Sequence, residues 1–521
     1  MKFMKIERTK NAVRNILFGG ILKGYQILMP FLMRTAMIYF LGVQYLGLSS
    51  LFTSVLQVLN LAELGVGNAM VYSMYKPIAE DNEKEICALM GLYRAYYGVI
   101  GFVIAVIGIL LMPFLPKLIK SDVPADMNIY VLYLLNLAAT VCSYWLFAYK
   151  NCLLNAHQRV DVISKVNLLT NTVRYAAQFF VLCFLHNYYM YFIAGILTQI
   201  MTNLVTAAAV TKFYPNYKPD GKLNQEKVNQ INHRIRDLFT SKIGTIVINS
   251  VDTIVISAFL GLTVLAVYEN YYFILNSIIG FVTIIFNACT AGIGNSVIVE
   301  TKEKNYADLK KFTFIIAWIS GFCTCCLLCL YQPFMKIWVG EELMLSFYAV
   351  ICFCVYYFVF EINQLLNTYK DAAGLWHEDR FRPLITAMAN LGMNLIMVQF
   401  WGIYGIMLST VLATLFVGMP WLLHNLFTCL FDRGQQKNYV RRLVQYASVS
   451  AVACAATLGI CSLICLGDWS VLAVRLLICM IVPNLLFFIS YRGFPEFCQS
   501  MQLIHKIIPK KSTKSLQDRN Q

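Results

Sequence analysis

The sequence predicts an all-α polytopic membrane protein with about fourteen transmembrane helices, and three observations predict it. Hydrophobic residues make up 59% of the 521 positions and charged residues only 13%, about half the roughly 25% of a soluble domain. Mean hydropathy is +0.62, more apolar surface than a soluble core hides, so the bilayer must act as the solvent. Apolar runs near the roughly 20 residues that a spanning helix needs recur along the whole chain.

These runs fall at about 15–41, 44–72, 89–113, 128–149, 163–185, 189–211, 238–260, 265–298, 311–332, 344–367, 384–400, 403–425, 443–466 and 469–491. The first follows Lys2, Lys5, Arg8, Lys10 and Arg14; it is too long for a signal-peptide core and lacks a cleavage pattern, so it is expected to remain as a span. The net charge of +15 lies in alternate loops, with Lys212, Lys218, Lys222, Lys227, Arg234 and Arg236 in the longest. The opposite loops hold only Lys117, Lys120 and Lys336. By the positive-inside rule the long loops and both termini are cytoplasmic. No nucleic-acid module is visible, and nucleic acid is not an expected partner.

A short phrase marks an internal repeat. Phe40-Leu41-Gly42 ends the first run and Phe259-Leu260-Gly261 ends the seventh, an offset of about 219 residues. That offset lays spans one to six on spans seven to twelve in the same orientation, as in the parallel repeats of some transporters. The expected organisation is a six-helix lobe over 1–211, a basic linker over 212–237 and a second six-helix lobe over 238–428. Two further helices over 429–491 and a basic tail over 492–521 complete it.

Charge inside a spanning segment costs about 2.5–3.5 kcal/mol on insertion scales, so such residues are the functional candidates. They are Lys23, Arg34, Glu63, Arg174, Asp252, Glu269, Glu361 and Arg475. Glu269 and Arg475 lie near span ends, where interfacial anchoring is the expected role, and Lys23 is within snorkelling reach of the surface. Arg34 sits six residues before Phe40 and Asp252 seven before Phe259, a cation where the other half has an anion. Either they pair with each other or both face cargo. Glu63 belongs to LAELGVGNAM, whose Gly65 and Gly67 allow a helix break, and Pro30 invites a kink.

Asn167, Asn171, Arg174 and Gln178 follow at spacings of four, three and four, which puts all four on one helix face. A polar stripe of that length is expected to face water. Cys323, Cys325, Cys326 and Cys329 spread around one helix with no His or carboxylate nearby; the expectation is small apolar filler, with no metal site. No phosphate-binding GxxxxGK loop and no catalytic constellation is present, so the chain reads as a non-enzyme.

Leu41-Gly42, Tyr45, Gly47, Glu63-Leu64-Gly65 and Gly67 resemble the opening of bacterial polysaccharide/O-antigen flippases of the multidrug/oligosaccharidyl-lipid/polysaccharide exporter superfamily. KNCLLNAHQRVDVISK (150–165) is similar to that family's loop between spans four and five, and VDTIVISAFLGLTVLAVYENYY to the start of its second half. The likeness covers roughly residues 10–430, departing at Ala266-Val267, where the family more often has Val-Gly, and at Glu63, where Asp is common. It implies an ion-coupled, alternating-access carrier in the inner membrane, moving a polyprenyl-pyrophosphate-linked oligosaccharide to the outer leaflet, alongside glycosyltransferases and a polymerase. Arg34, Arg174 and Lys23 would meet the pyrophosphate, and Asn167, Asn171 and Gln178 the sugar hydroxyls. Asp252, Glu63 or Glu361 would bind a coupling H+ or Na+, and no other cofactor is implied. The rival readings are a multidrug cation antiporter of the same superfamily and a membrane polysaccharide polymerase or ligase. The antiporter cavity would be dominated by carboxylates, and the enzymes carry a large external loop that this chain lacks.

Overall fold

A computed structural model describes residues 8–507 except Leu64, 121–122, Ala125 and 465–466, and side chains over 21–502 except also at 62, 237, 241–242, 245, 249, 288 and 291. Lys2 and Lys5 lie outside the described residues. The fold is all-α. Its helices are α1 (Arg8–Phe40), α2 (Val43–Leu59), α3 (Val66–Ala79), α4 (Glu83–Leu111), α5 (Ile129–Trp145), α6 (Asn151–Ala156), α7 (Val160–Phe180), α8 (Tyr188–Phe213) and α9 (Gln225–Leu260). There follow α10 (Leu262–Val299), α11 (Lys302–Val339), α12 (Phe347–Ala372), α13 (Trp376–Asp379), α14 (Arg382–Ala413), α15 (Met419–Cys429), α16 (Gln436–Ser462), α17 (Asp468–Tyr491) and α18 (Pro495–Ile507).

Among the described residues nine helical segments are long and apolar enough to cross a bilayer. One of them, Trp376–Cys429, is 54 residues long and turns at Gly402, whose φ of 53° and ψ of −130° are not helical. Two passes separated at Trp401–Gly402 were expected there. The bent pair Ile129–Trp145 with Ala148–Ala156, the shorter Val43–Leu59 and Ile246–Leu260, and α1 supply the remaining predicted spans.

The repeated Phe-Leu-Gly phrase is a helix stop. The N–H groups of Gly42 and Gly261 reach back five residues to the carbonyls of Met37 and Ile256 at 3.1 Å each. Their φ values of 113° and 94° are ones that residues with a Cβ rarely adopt. Closing the turn this way satisfies terminal carbonyls that water does not reach easily. Helix starts are capped by side chains, with Asn82, Asn128, Asn187, Asn224 and Thr301 accepting from first-turn N–H groups. The Asn224 cap corrects one boundary. α9 begins inside the segment read as a linker, and Lys227 pairs with Glu85 at 2.7 Å.

The chain divides into two compact units. One comprises the described residues of Met1–Ser277 with Asp379–Ala413; the other comprises Ile278–Glu378 with Thr414–Gln521. In the first, α9 packs along α14 and α2. At Gly244 a Cβ would run into the Pro383 backbone, so glycine permits that closeness. In the second, α11 packs against α12, α16 and α17, with Trp318, Phe487 and Tyr491 in mutual ring contact.

His157 lies in the turn just past α6 and is only 5% exposed. Its ring stacks on Tyr214, centroids 4.4 Å apart, and its Nε2 has no partner among the described residues. Burial pushes its pKa down to about 4, below the usual value of about 6.5. Between these two values the unfolded chain binds a proton that the folded chain refuses. The contribution of neutral His157 is therefore whole above about pH 6.5 and shrinks as pH falls toward 4. Melting curves of wild type and His157→Phe should converge near pH 7 and separate below pH 6, wild type losing more; parallel curves would refute this.

Candidate functional site

Arg34 does not pair with Asp252. Its guanidinium faces α10, with Nη2 3.8 Å from a Glu269 oxygen and Nη1 donating to Asn270 Oδ1 at 3.4 Å. Its Cζ lies 5.0 Å from the Phe273 ring centre. Glu269 is therefore more than an interfacial anchor; it also accepts from Thr253 of α9 at 3.1 Å. The Arg34 contacts are long beside the roughly 2.7–2.9 Å of a tight charged hydrogen bond. A guanidinium has five donors, and this one is loosely engaged.

α1, α7 and α8 come together beside it. Met33, Ala36 and Leu182 form a buried cluster against which Tyr175 and Tyr191 pack. The polar stripe of α7 is only partly as expected. Asn167, Asn171 and Arg174 are half-buried, but Gln178 is 2% exposed and donates to the Tyr191 carbonyl at 3.3 Å. Arg174 Nε and Gln178 Oε1 are buried with no partner among the described residues. Arg174 Nε and the Gln178 amide nitrogen both lie beside Gly195 of α8, where a Cβ would crowd them. An unpaired buried donor and acceptor one turn apart are costly unless a ligand completes them. Lys23 is half-buried on α1.

Asp252 has neutral partners. Asn394 donates to its Oδ1 at 2.6 Å and Thr410 to its Oδ2 at 2.8 Å. Asn390 bridges onto Thr410 at 2.9 Å, Ser409 donates to Asn394 Oδ1, and both hydroxyls also reach the Ile406 carbonyl. The result is a hydrogen-bonded cluster in which an amide N–H and a hydroxyl donate to one carboxylate, with amide, hydroxyl and carbonyl oxygens of the kind hard cations prefer close by. Asn390 and Asn394 are one turn apart in the sequence and were visible as polar residues; their convergence on Asp252 with Ser409 and Thr410 was not.

Glu63 lies in the break between α2 and α3, where Gly65 adopts a φ of 87°. Its two oxygens accept from Tyr97 at 2.7 Å and Tyr144 at 2.9 Å; Tyr93 donates to Tyr97 at 2.6 Å. Two phenols thus clamp the break with a third behind Tyr97, and no feature of the sequence pointed to them. Glu361 of α12 is the opposite case, 0% exposed with neither oxygen hydrogen-bonded among the described residues.

Charge-assisted hydrogen bonds contribute about 1.5–3 kcal/mol each. Glu63→Ala should lower the unfolding midpoint in detergent substantially, Tyr97→Phe and Tyr144→Phe each less. Double-mutant cycles should give about 1–2 kcal/mol of coupling per phenol. Zero coupling would remove the structural role and return Glu63 to the ion-binding candidates.

No family model and no curated protein matches the chain. Solved structures do share its fold. A lipid II flippase, MurJ, in an inward closed conformation superposes with a TM-score of 0.65 at 15% identity, over 92% of this chain and 99% of that one. An inward-facing multidrug resistance MATE transporter of the MOP superfamily gives 0.60 at 13%, over 77% and 94%. A MOP superfamily transporter from Pyrococcus furiosus, described as having a binding pocket of reverse polarity, gives 0.52 at 14%, over 84% and 100%. The chain therefore has the fold of these flippases and transporters.

Proposed function

We propose that this chain is a flippase of surface polysaccharide biosynthesis. It moves a polyprenyl-pyrophosphate-linked oligosaccharide from the cytoplasmic to the outer leaflet of a bacterial inner membrane by alternating access. The observation that carries the reading is the buried, unpartnered Arg174 Nε beside the unpartnered Gln178 Oε1. One is a fixed cationic donor that suits a phosphate oxygen; the other is an acceptor that suits a hydroxyl. Arg34, held at long range by Glu269, supplies a second cation on a neighbouring helix, with Lys23 further along α1. Asn167 and Asn171 extend the polar face toward sugar. The shared fold with a lipid II flippase is consistent with a lipid-linked cargo whose tail stays among membrane lipids. Glycosyltransferases would supply such a cargo and a polymerase would consume it.

In this reading the lobes over 1–211 and 238–428 exchange access, and the 212–237 segment lies on the cytoplasmic side. A multidrug exporter also fits the fold, but a buried arginine whose Nε has no partner among the described residues repels the cationic amphiphiles such a carrier exports. A polymerase or ligase has no support from the fold matches.

In proteoliposomes, Arg174→Ala should cut translocation of a polyprenyl-pyrophosphate oligosaccharide at least tenfold, Gln178→Leu less, with unchanged melting behaviour. Equal rates in all three proteins would sink the anion-site reading. In cells, a cysteine placed at Lys222 should resist impermeant thiol reagents from outside; labelling would reverse the orientation.

We assign the coupling ion to the Asp252 cluster, with Na+ favoured over H+ by its oxygen donors. NaCl should raise the melting temperature above that in equal KCl, as mass action requires of a ligand bound only by the folded state. Asp252→Asn should erase the difference. Identical curves for wild type in the two salts would exclude Na+ and leave the proton.

A further inference from the structure

The cysteines of α11 were expected to be filler because their side chains spread around one helix. Two other helices change that. Cys329 of α11, Cys461 of α16 and Cys479 of α17 converge, all buried, with their three sulfur atoms within 4.8 Å of one another. Cys326, Leu330, Leu458 and Ile478 pack around them. Arg475 lies one turn before Cys479, and its Nη1 donates to the Cys329 carbonyl at 3.3 Å. Its Nε is buried without a partner among the described residues. A guanidinium wedged against a backbone carbonyl beside three thiols is wasteful if the thiols stay neutral.

We propose that Cys329, Cys461 and Cys479 form a three-coordinate thiolate site for a soft metal ion, Cu(I). Thiolate sulfur selects soft ions. A metal–sulfur distance of about 2.3 Å in a trigonal plane separates the sulfurs by about 4.0 Å, so the observed cluster needs only a slight contraction. Zn(II) requires a fourth donor, whereas Cu(I) is satisfied by three. Binding releases the three thiol protons to solvent and leaves a trithiolate–Cu(I) centre of charge −2. The fixed charge of Arg475 offsets part of it in this low-dielectric setting. Cys461 is the penultimate residue of α16, so the site lies next to a helix end and within reach of the surface. The chemistry is independent of the cargo site, which lies in the other compact unit.

The test uses the purified full chain in detergent, loaded anaerobically with Cu(I) and challenged with bicinchoninate as competitor. Wild type should retain about one copper per chain, with three sulfur neighbours in X-ray absorption. Cys329→Ser and Cys461→Ser should each lower retention at least tenfold, and Cys429→Ser, at an exposed position, should not. Copper lost from wild type, retained undiminished in both variants, or outcompeted by Zn(II) would overturn the proposal. So would a disulfide between any two of the three cysteines in protein isolated without reductant. Should the serine variants fail to fold, the sulfur count around copper in wild type decides alone.

Discussion

Every polar group inside a bilayer-spanning helix must find a partner within the protein or in what the protein carries, because lipid supplies none. That constraint sorts the buried charges of this chain into classes. Glu63 is fully engaged by the Tyr97 and Tyr144 hydroxyls at a helix break. Asp252 is engaged as well, but by the neutral donors Asn394 and Thr410, so its net charge is uncompensated by any of the groups that hold it. Arg34 is half-engaged by Glu269. Arg174 and Glu361 keep buried polar atoms with no partner among the described residues. The classes differ in what they leave undone, and that remainder is where ligands act.

The contrast between the two hydrogen-bonded carboxylates is informative. Phenols clamp Glu63 where φ at Gly65 is positive and the backbone is interrupted, so its charge holds a bent span in shape. Asp252 sits inside an unbroken stretch of α9, where no break needs closing. A network of four side chains from α14 around one carboxylate of α9 is more than packing requires. Its surplus of oxygen atoms is what a cation would use.

Much of the fold was legible because the membrane enforces simple patterns. Spans follow from the length of apolar runs, and the stops at Gly42, Gly261 and Gly402 follow from glycine and its spacing. The α9 start was misread because Gln225–Asp237 is polar yet helical, capped by Asn224 and tied to Glu85, and hydropathy cannot distinguish a polar helix from a linker. The site was legible as a list of residues and illegible as a set of partners. Arg34 and Asp252 occupy corresponding places beside the repeated Phe-Leu-Gly, and the repeat suggested a pair. The structure gives each a different neighbour, since correspondence in sequence does not fix which helix lies opposite.

The same limit explains the cysteines. One helix cannot gather four thiols that it disperses around its axis, and that, with no His or carboxylate nearby, is why a metal site was not expected. Tertiary packing removes the ground by bringing single thiols from α16 and α17 to one edge of α11. Arg475 was likewise read from its position as an interfacial anchor, yet it donates to the backbone of α11 and keeps Nε inside. A cation placed inward beside three thiols, held by a backbone carbonyl, would gain from an anion beside it. Thiolates of the proposed Cu(I) site would supply that charge, and neutral thiols would not.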